Sequence, residues 1–476
     1  MSLLIKGGDV VDGLGGAPVR ADILLVSDRI AAIGDLPAYK ADKVINASGS
    51  FVIPAPIDLV SLADKTSIDA IPSFDRFLQE GIGTVVMGGE GTSRFPAPYG
   101  EPEPSWRFEG YPNKNSDWKN AEEFLKAVSF SKPGVSFGSF VGWESLRGGV
   151  TEKWRELSDS EISVISYALS QSVSGGACGL SFGSCSLSNI PISDKEFSGL
   201  MRSLSDSRGS CVFSLRYDDD PLESSKLVKK VGAMGIPVMI AVSPLVSSKD
   251  LKKFILEIKE IPEKTRLGLV FSPSGSEVIS LRDILPQEMR HLSEPMIMKE
   301  LQGTRMKARL AKIASAVSLP EAVISFSPRT PFLKGKSVSE FIANREIAED
   351  RVISKLISVA GVNTFIRFSS TVAPELVSES MSFAASFGCP ESYISNVIES
   401  CDKLGVSLAS AVRKMSSLPS EMCGFEKRGS ISEGGSASLV IIKDKKISHS
   451  IIEGSISFSD EKTVEINSGR LAKRHV

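Results

Sequence analysis

The feature that most constrains the fold is the alternation of short apolar runs with amphipathic stretches through the middle of the chain. "SFDRFLQEG" and "AEEFLKAVSF" have the spacing of helices that bury one face. Between and after them come short buried runs: "GTVVMGG", "VSFGSFVG", "GACGLSFGS", "SCVFSLR", "PVMIAVS" and "LGLVFSP". Repeats of strand then helix indicate an α/β fold with parallel strands. Seven or eight such units over roughly 350 residues predict a TIM (β/α)8 barrel.

The two ends of the chain have a different sequence pattern, that of short strands joined by turns. Residues 1–54 contain "LLIKGGDVVDG", "ADILLVSDRIAAIG" and "KVINASGSFVIP", which are β-branched runs broken by Gly, Asp and Pro. Residues 415–476 contain "ASLVIIKDKKISHSIIEGSISF", which indicates strand, turn and strand. We therefore expect a small composite β-sandwich domain from both ends and a barrel over 55–414. A helical insertion is expected at 285–335.

Composition excludes several classes of protein. The 476 residues carry a formal net charge of −2, which gives no attraction to nucleic acid or to an anionic membrane. No apolar run approaches the roughly 20 residues of a membrane span, and the N-terminal residues lack the pattern of a signal peptide. Six cysteines without a Cys-x-x-Cys pair favour reduced thiols and a cytoplasmic location.

Several segments, taken in order, resemble the amidohydrolase superfamily, and within it the N-acyl-D-amino-acid deacylase (D-aminoacylase) branch. "LLIKGGDVVDGLGGAP" resembles the opening strands of that family, and "ADKVINASGSFVIPAPIDLV" its entry into the first barrel strand. "EGIGTVVMGGEG", "VSFGSFVGWESLR", "GSCVFSLRYDD" and "GIPVMIAVS" resemble later barrel strands. The resemblance implies an amide hydrolase whose metal, usually zinc, activates water and polarises the scissile carbonyl.

The positions that match the metal ligands of the family carry other residues. The family's His-x-His falls on Val60 and Leu62, where carbon side chains cannot donate an electron pair to a metal. The remaining ligand positions fall on Glu90 (family cysteine), Trp143, Ser214 and Val242 (family histidines), and Ser369 or Ser370 (family aspartate).

Of these, Glu90 alone could still bind a metal, and a single carboxylate binds weakly. The three histidines, His291, His449 and His475, lie in the expected insertion and in the last strands, so we expect them to be structural or solvated. The leading expectation is therefore a lost metal site and no cofactor. Trp143 is expected to fill part of the former metal cavity, because a barrel without its ion must repack.

Other candidates allow a functional and a structural interpretation. Arg216, followed by Asp218, Asp219 and Asp220, forms either a polar ligand pocket at the barrel mouth or a salt-bridged loop.

Two further pairs are candidates, one beside a matched ligand position and one that brackets "GLSFGS". Asp58 and Asp64 flank the missing histidine pair, and a hydrogen-bonding role is expected for Asp58. Cys178 and Cys185 have no histidine nearby to activate them, so inert thiols are expected.

Three functions follow from these residues. The leading interpretation is a non-catalytic pseudoenzyme that binds or assembles, as a homo- or hetero-oligomer, with an active paralogue or another enzyme subunit. The alternative is a hydrolase of carbon–nitrogen bonds other than peptide bonds, acting on N-acyl-D-amino acids or cyclic amides. Its rebuilt site would use Glu90 and Asp218 as catalytic candidates and Arg216 for binding, with zinc as the cofactor. The third is a metal-free small-molecule binder. None of them involves nucleic acid or a membrane.

Overall fold

The chain is described from a computed structural model. It covers residues 2–37, 39–61, 75–96, 118–151, 155–183, 187, 192–243, 245–259, 261, 266–271, 276–290, 292–369, 382–383, 393–459, 462–464 and 467–475. None of the helices in these ranges combines the length and the apolar character that a bilayer span requires.

The strands are, in chain order, β1 (Ser2–Val10), β2 (Val19–Val26), β3 (Arg29–Gly34), β4 (Lys43–Asn46), β5 (Phe51–Pro54), β6 (Ile57–Asp58), β7 (Thr84–Met87), β8 (Ser136–Ser139), β9 (Val141–Gly142), β10 (Gly179–Phe182), β11 (Ser210–Leu215), β12 (Val238–Val242), β13 (Leu267–Phe271), β14 (Ser276–Ser280), β15 (Val323–Phe326), β16 (Phe365–Ser369), β17 (Ser382–Phe383), β18 (Leu439–Lys443), β19 (Lys446–Ile452), β20 (Ser455–Ser459) and β21 (Lys462–Thr463).

The helices are α1 (Asp75–Gln79), α2 (Ala121–Phe130), α3 (Trp143–Gly148), α4 (Asp159–Ser174), α5 (Asp194–Asp206), α6 (Pro221–Gly232), α7 (Ser248–Ile258), α8 (Gln287–Arg290), α9 (Glu294–Glu300), α10 (Thr304–Ala316), α11 (Val338–Ala343), α12 (Val352–Ala360), α13 (Tyr393–Leu404), α14 (Leu408–Met415) and α15 (Ser417–Cys423), with short 3-10 turns at Leu319–Glu321, Pro331–Leu333 and Glu349–Arg351.

Strands from both ends of the chain form one sheet. Its order is β21-β20-β19-β18-β5-β1-β2-β3, with β4 paired to β1. The two ends meet where β5 runs antiparallel to β18, with Pro54 opposite Leu439. Apolar residues from both ends share one buried cluster, which includes Leu3, Ile23 and Ile441. This is the expected composite β-domain.

The barrel strands run parallel. β6, β7 and β8 form one sheet, and β9 to β13 with β17 form the next, with β8 and β9 separated only by Phe140. Side chains alternate between the two faces of each strand. On β11, Phe213 joins the outer cluster that packs under the helices, whereas Val212 joins the inner cluster with Ala241 and Val270.

Helices α4 and α5 begin at serine caps that fix where their first turns lie. Ser158 and Glu161 form a reciprocal capping box at the start of α4. Ser193 accepts a hydrogen bond from the backbone N–H of Glu196 at the start of α5. The second cap places the Glu196 side chain in the first turn of α5, facing the barrel.

The insertion is larger than predicted and is partly β-structured. Between β13 and β17, the described residues 276–369 form an antiparallel sheet, β14-β16-β15, and helices α8 to α12 around a separate apolar cluster. The prediction of a helical insertion at 285–335 is therefore too narrow. An apolar run in the sequence predicts a strand, but it does not predict which distant strand will pair with it.

The same topology corrects the expected position of the late aspartate of the family. Ser369 ends β16, which pairs antiparallel with β14 and β15, and its side chain is exposed. It therefore lies in the insertion and not at the end of a barrel strand. The strand that joins the barrel after the insertion is β17, which pairs parallel with β13. Ser370 lies outside the described residues.

Candidate functional site

The candidate site lies where the carboxyl ends of the barrel strands meet, because this end carries the active sites of barrel enzymes. Val60 follows β6 there, fully buried in the inner cluster with Phe140 and Ala241. A Cβ added to Gly89, in the turn after β7, would lie 3.1 Å from Val60 Cγ1. Val60 thus packs against this turn. Leu62, its companion in the sequence pattern, lies outside the described residues.

The structure corrects the role expected for Trp143. Its indole Nε1 donates a hydrogen bond of 2.9 Å to Glu196 Oε1 on α5, and Arg147 Nη1 donates one of 2.5 Å to Glu196 Oε2. The indole ring packs on Phe182, with ring centroids 5.5 Å apart, in the cluster between strands and helices. Because α5 lies outside the barrel, Trp143 supports the helix layer and does not fill the cavity inside the strands.

Ser214 and Val242 occupy different layers. Ser214 is buried on β11 directly beside Ala241 of β12, at the inner face. Val242 belongs to the outer apolar cluster. The next residue, Ser243, therefore points back to the inner side, and its hydroxyl is the polar group that β12 contributes to the mouth.

Glu90 lies in the turn after β7 and faces the end of β10. Ser181 Oγ donates to the carbonyl of Gly88 at 2.5 Å and accepts from the N–H of Gly91 at 3.1 Å, which fastens this turn to β10. A Cβ on Gly183 would lie 2.1 Å from the Cα of Glu90, so the close approach requires glycine. Glu90 itself is 9% exposed.

Arg216, directly after β11, is the central cation of the mouth. Its Nη1 donates to the carbonyl of Gly183 at 3.2 Å and its Nη2 to the carbonyl of Asp283 at 2.8 Å. The side chain is 7% exposed. Its Nε–H is buried and has no hydrogen-bond partner within the described part of the chain. A buried guanidinium whose hydrogen-bond partners in the described ranges are neutral carbonyls is unusual, because charge-assisted partners are much stronger.

Four carboxylates surround Arg216 at longer range. Burial by itself lowers the pKa of Arg216, but Asp283, Asp218, Glu277 and Glu90 together raise it above its ordinary value. Glu90 and Asp218, the other two residues of the predicted rebuilt site, therefore lie within electrostatic range of Arg216.

Glu277 and Ser243 are functional candidates that the sequence did not reveal. Ser243 Oγ donates a hydrogen bond of 2.5 Å to Glu277 Oε2 and accepts one of 3.2 Å from the N–H of Leu245. Burial raises the pKa of Glu277 to about 7; the Ser243 hydrogen bond and the charge of Arg216 oppose that rise. A glutamate in the apolar strand sequence "SEVIS" was the available signal.

The other carboxylates of the mouth have local partners. Asp283 Oδ2 accepts a hydrogen bond of 2.7 Å from Ser280 Oγ. Asp218 Oδ2 accepts one of 2.7 Å from Arg290 Nη2, in an ion pair whose arginine side chain is 1% exposed. Asp219 accepts from the backbone N–H of Arg216 at 2.7 Å, and Asp220 caps α6.

The remaining candidates lie away from this cluster. Asp58 is buried near Tyr393, whose pKa is raised first by burial and then by that carboxylate. Cys178 is fully buried in the inner cluster with Cys423. His449 lies on β19 beside Ser448, and His475 is exposed next to Glu426. Asp64, Cys185 and His291 lie outside the described residues.

The residues at the matched ligand positions do not fit a zinc ion. Val60 and Val242 have no donor atom, and the indole nitrogen of Trp143 is a hydrogen-bond donor already bonded to Glu196. Zinc sites need three or four His, Cys or carboxylate ligands. Among the described residues, no group of three such side chains converges to hold a metal.

Comparison with curated proteins relates the chain to deacylases. It is 31% identical over 238 residues to N-acyl-D-glutamate deacylase of Alcaligenes xylosoxydans xylosoxydans, a match that covers 49% of this chain and 47% of that protein. It is 30% identical over 194 residues to D-aminoacylase of the same organism, covering 38% and 37%. The chain thus spans less than half the length of these curated relatives. No protein-family model matches it.

Comparison with solved structures confirms the predicted fold class, a barrel with a β-sandwich domain. A crystal structure of D-aminoacylase, described as defining a novel subset of amidohydrolases, superposes with a TM-score of 0.76 at 20% identity over 99% of both chains. N-acyl-D-glutamate deacylase from Bordetella bronchiseptica, complexed with zinc and a phosphonate inhibitor, superposes with a TM-score of 0.76 at 18% identity over 99% of both chains.

Proposed function

Because the chain is a D-aminoacylase-like protein with the amidohydrolase fold, we propose that it is a hydrolase of carbon–nitrogen bonds other than peptide bonds. N-acyl amino acids and cyclic amides are the proposed substrate classes. Sequence similarity to proteins named as deacylases supports this choice. The hydrolase, which was the alternative interpretation of the sequence, is therefore preferred here to the non-catalytic protein.

One observation carries the proposal: the mouth of the barrel retains buried charge. A barrel that had only repacked after losing a metal would replace charge with apolar side chains, which is the more stable solution. Val60 follows that expectation. Arg216, Glu277 and Asp283 do not, since each is at least nine-tenths buried at the end where barrel enzymes place their catalytic groups. Buried groups with a shifted pKa cluster at functional sites.

The proposed site combines an anion-binding group with proton-accepting groups. Arg216 can bind a carboxylate or a polarised carbonyl oxygen of the substrate. Glu277 and Glu90 can accept a proton from water, and Ser243 orients Glu277 through its hydrogen bond. Among the described residues no three metal-binding side chains converge, so each activity must be measured with and without zinc.

A non-catalytic binding or assembly subunit is the second candidate. The matched ligand positions favour it, since Val60, Leu62, Trp143 and Val242 all lack a donor for a metal. An active paralogue or another enzyme subunit would be the partner, and the complex would be a homo- or hetero-oligomer. A cytoplasmic location is part of both proposals.

A substrate panel with purified chain tests the two candidates. The panel contains N-acetyl-D-glutamate, N-acetyl-D-leucine, other N-acyl-D- and L-amino acids, and dihydrouracil, each with chelator and with added zinc. Hydrolysis is detected as released amine for the N-acyl amino acids and as the ring-opened acid for dihydrouracil, and hydrolysis that is lost in Arg216→Gln supports the hydrolase. No hydrolysis under any condition, together with stable co-purification of a histidine-bearing paralogue, supports the assembly subunit. Glu288→Gln, on an exposed pair with Arg309, is the matched control.

A further inference from the structure

We propose that Glu277 is the proton-transfer residue of this barrel and that Arg216 stabilises the charge that develops on the scissile carbonyl oxygen, so that hydrolysis proceeds without a metal. This inference rests on the proposed function. Nothing in the family resemblance assigns a role to Glu277, because it lies in the insertion sheet and not at a matched ligand position.

The ends of four neighbouring barrel strands bring the two residues together. Arg216 follows β11 and reaches the carbonyl of Gly183 after β10. Ser243 follows β12, and its N–H donates to the carbonyl of Leu215 at 3.0 Å. Glu277 lies on β14, which follows the end of β13. Its carboxylate accepts from Ser243 at 2.5 Å. The insertion thus places the Glu277 carboxylate at the mouth of the barrel.

Glu277 differs from the other carboxylates around Arg216 in its partners. Asp218 is neutralised by Arg290, and Asp283 is bonded to Ser280 within its own turn. In the described part of the chain Glu277 has no cation within ion-pair distance, and its one hydrogen bond comes from a neutral hydroxyl. A carboxylate in such surroundings holds a proton more readily. Burial raises its pKa to about 7, which suits an acid–base residue near neutral pH.

The step balances with water alone. The Glu277 carboxylate takes a proton from water while the water oxygen bonds to the amide carbon, and the carbonyl electron pair moves onto the oxygen as an oxyanion. That charge forms beside Arg216. When the oxyanion collapses, the carbon–nitrogen bond breaks and the Glu277 carboxylic acid returns its proton to the leaving nitrogen. An N-acyl amino acid gives a carboxylic acid and an amine, a cyclic amide gives one ring-opened acid, and Glu277 is again ionised.

Arg216 is suited to the oxyanion because it is already desolvated and fixed. Two backbone carbonyls hold its Nη atoms, and its Nε–H lacks a partner among the described residues. Donors held in place before the reaction stabilise a developing charge without reorganisation. In the amidohydrolases the metal both activates water and polarises the carbonyl. Here Glu277 would activate the water and Arg216 would stabilise the carbonyl oxygen.

The test compares Glu277→Gln with Glu288→Gln in chelator-treated protein, using the N-acyl amino acid or cyclic amide turned over fastest by the wild-type chain. We expect turnover in chelator, with kcat lowered roughly 100- to 10,000-fold by Glu277→Gln and KM little changed. Glu288→Gln should stay within about twofold of wild type. The wild-type pH profile gives a second readout that needs no variant: kcat/KM should rise with pH with an apparent pKa of about 7.

The outcomes separate this inference from the proposed function. Turnover that appears only with added zinc overturns the metal-free mechanism and leaves the hydrolase intact. The same holds if folded Glu277→Gln keeps full activity. An absence of turnover under every condition overturns both. A flat pH profile between pH 5 and 9 also contradicts a role for Glu277.

Discussion

Trp143 and Glu196 are joined by a hydrogen bond of 2.9 Å between the indole nitrogen and a carboxylate oxygen that is fully buried. Arg147 completes the arrangement with an ion pair of 2.5 Å to the other oxygen, both side chains being at most 3% exposed. Burial raises the pKa of Glu196, against the opposing charge of Arg147 and the two hydrogen bonds. The chain thus keeps a charged pair between α3 and α5, away from the barrel mouth.

This pair should be essential to the stability of the fold. Glu196→Ala removes the buried carboxylate to which both Arg147 and the Trp143 indole N–H are bonded, and we expect the free energy of unfolding to fall by about 3–5 kcal/mol. Chemical denaturation at pH 7 measures the change. Asp159→Ala is the matched control, because it removes an exposed ion pair to Lys195 between α4 and α5 and should cost less than about 1 kcal/mol. Equal losses of stability in the two variants would contradict a special role of the buried Arg147–Glu196 pair.

The same tryptophan shows what the sequence could and could not predict. Strand and helix periodicity predicted the barrel, since alternation records which faces are buried. The expectation that Trp143 fills part of the former metal cavity was wrong about the direction of its side chain, which lies in the outer cluster. That direction depends on Glu196, which is 53 residues away in the sequence, and no local pattern encodes such a partner.

Glu277 was missed for a related physical reason. It lies outside the insertion predicted at 285–335, and the residues that give it a role, Ser243 and Arg216, follow two other strands. Arg216, by contrast, was a candidate because it directly follows a predicted barrel strand. Sequence patterns therefore indicated candidates at the ends of recognisable strands and missed Glu277, which lies on an insertion strand.

Stability should depend on pH through Glu277. Its pKa is about 7 in the folded chain against an ordinary value of 4.5, so between these values the folded chain binds more protons than the unfolded chain. The contribution of this group is therefore fully present below pH 4.5 and is lost as the pH rises through 7. Glu277→Gln removes the ionisation. The free energy of unfolding of the variant minus that of wild type should therefore be about 3 kcal/mol larger at pH 8 than at pH 4.

Thermal unfolding of both proteins at pH 4, 6 and 8 measures this difference. Glu288→Gln again serves as the control, because the Glu288 pKa is lowered and not raised. If the wild-type and Glu277→Gln chains differed in unfolding temperature by the same amount at every pH, the pKa of Glu277 would not be raised in the folded chain.

Ser243 should set the pH at which Glu277 ionises. Its hydrogen bond stabilises the carboxylate and lowers the pKa of Glu277 relative to burial alone. In Ser243→Ala the rising limb of kcat/KM should therefore move to higher pH. A hydrogen bond worth about 1 kcal/mol corresponds to slightly less than one pH unit. A profile that drops uniformly at all pH values would mean that Ser243 acts only in packing.

Gly183 should be intolerant of any side chain. An added Cβ would meet the Cα of Glu90 at 2.1 Å and its carbonyl carbon at 2.4 Å. Because both contacts are backbone, Gly183→Ala must separate the turn after β7 from the end of β10. We expect a loss of about 1–3 kcal/mol and a displaced Arg216, which bonds the Gly183 carbonyl. Gly303→Ala, with 3.6 Å to its nearest atom, is the control, measured by thermal unfolding and activity together.

Added zinc should leave the stability of the chain unchanged. A site that binds the folded state at 100 times its Kd raises the free energy of unfolding by about 2.7 kcal/mol, which a thermal shift detects easily. Val60 and Val242 have no donor atom for a metal, and Trp143 Nε1 is already bonded to Glu196. We therefore expect 100 µM zinc, on the order of 100 Kd for a micromolar site, to shift the unfolding temperature by less than about 1 °C. Metal analysis after dialysis provides the second measurement. A shift of several degrees with about one equivalent of retained zinc would contradict the loss of the metal site, and the metal-free mechanism would then fail.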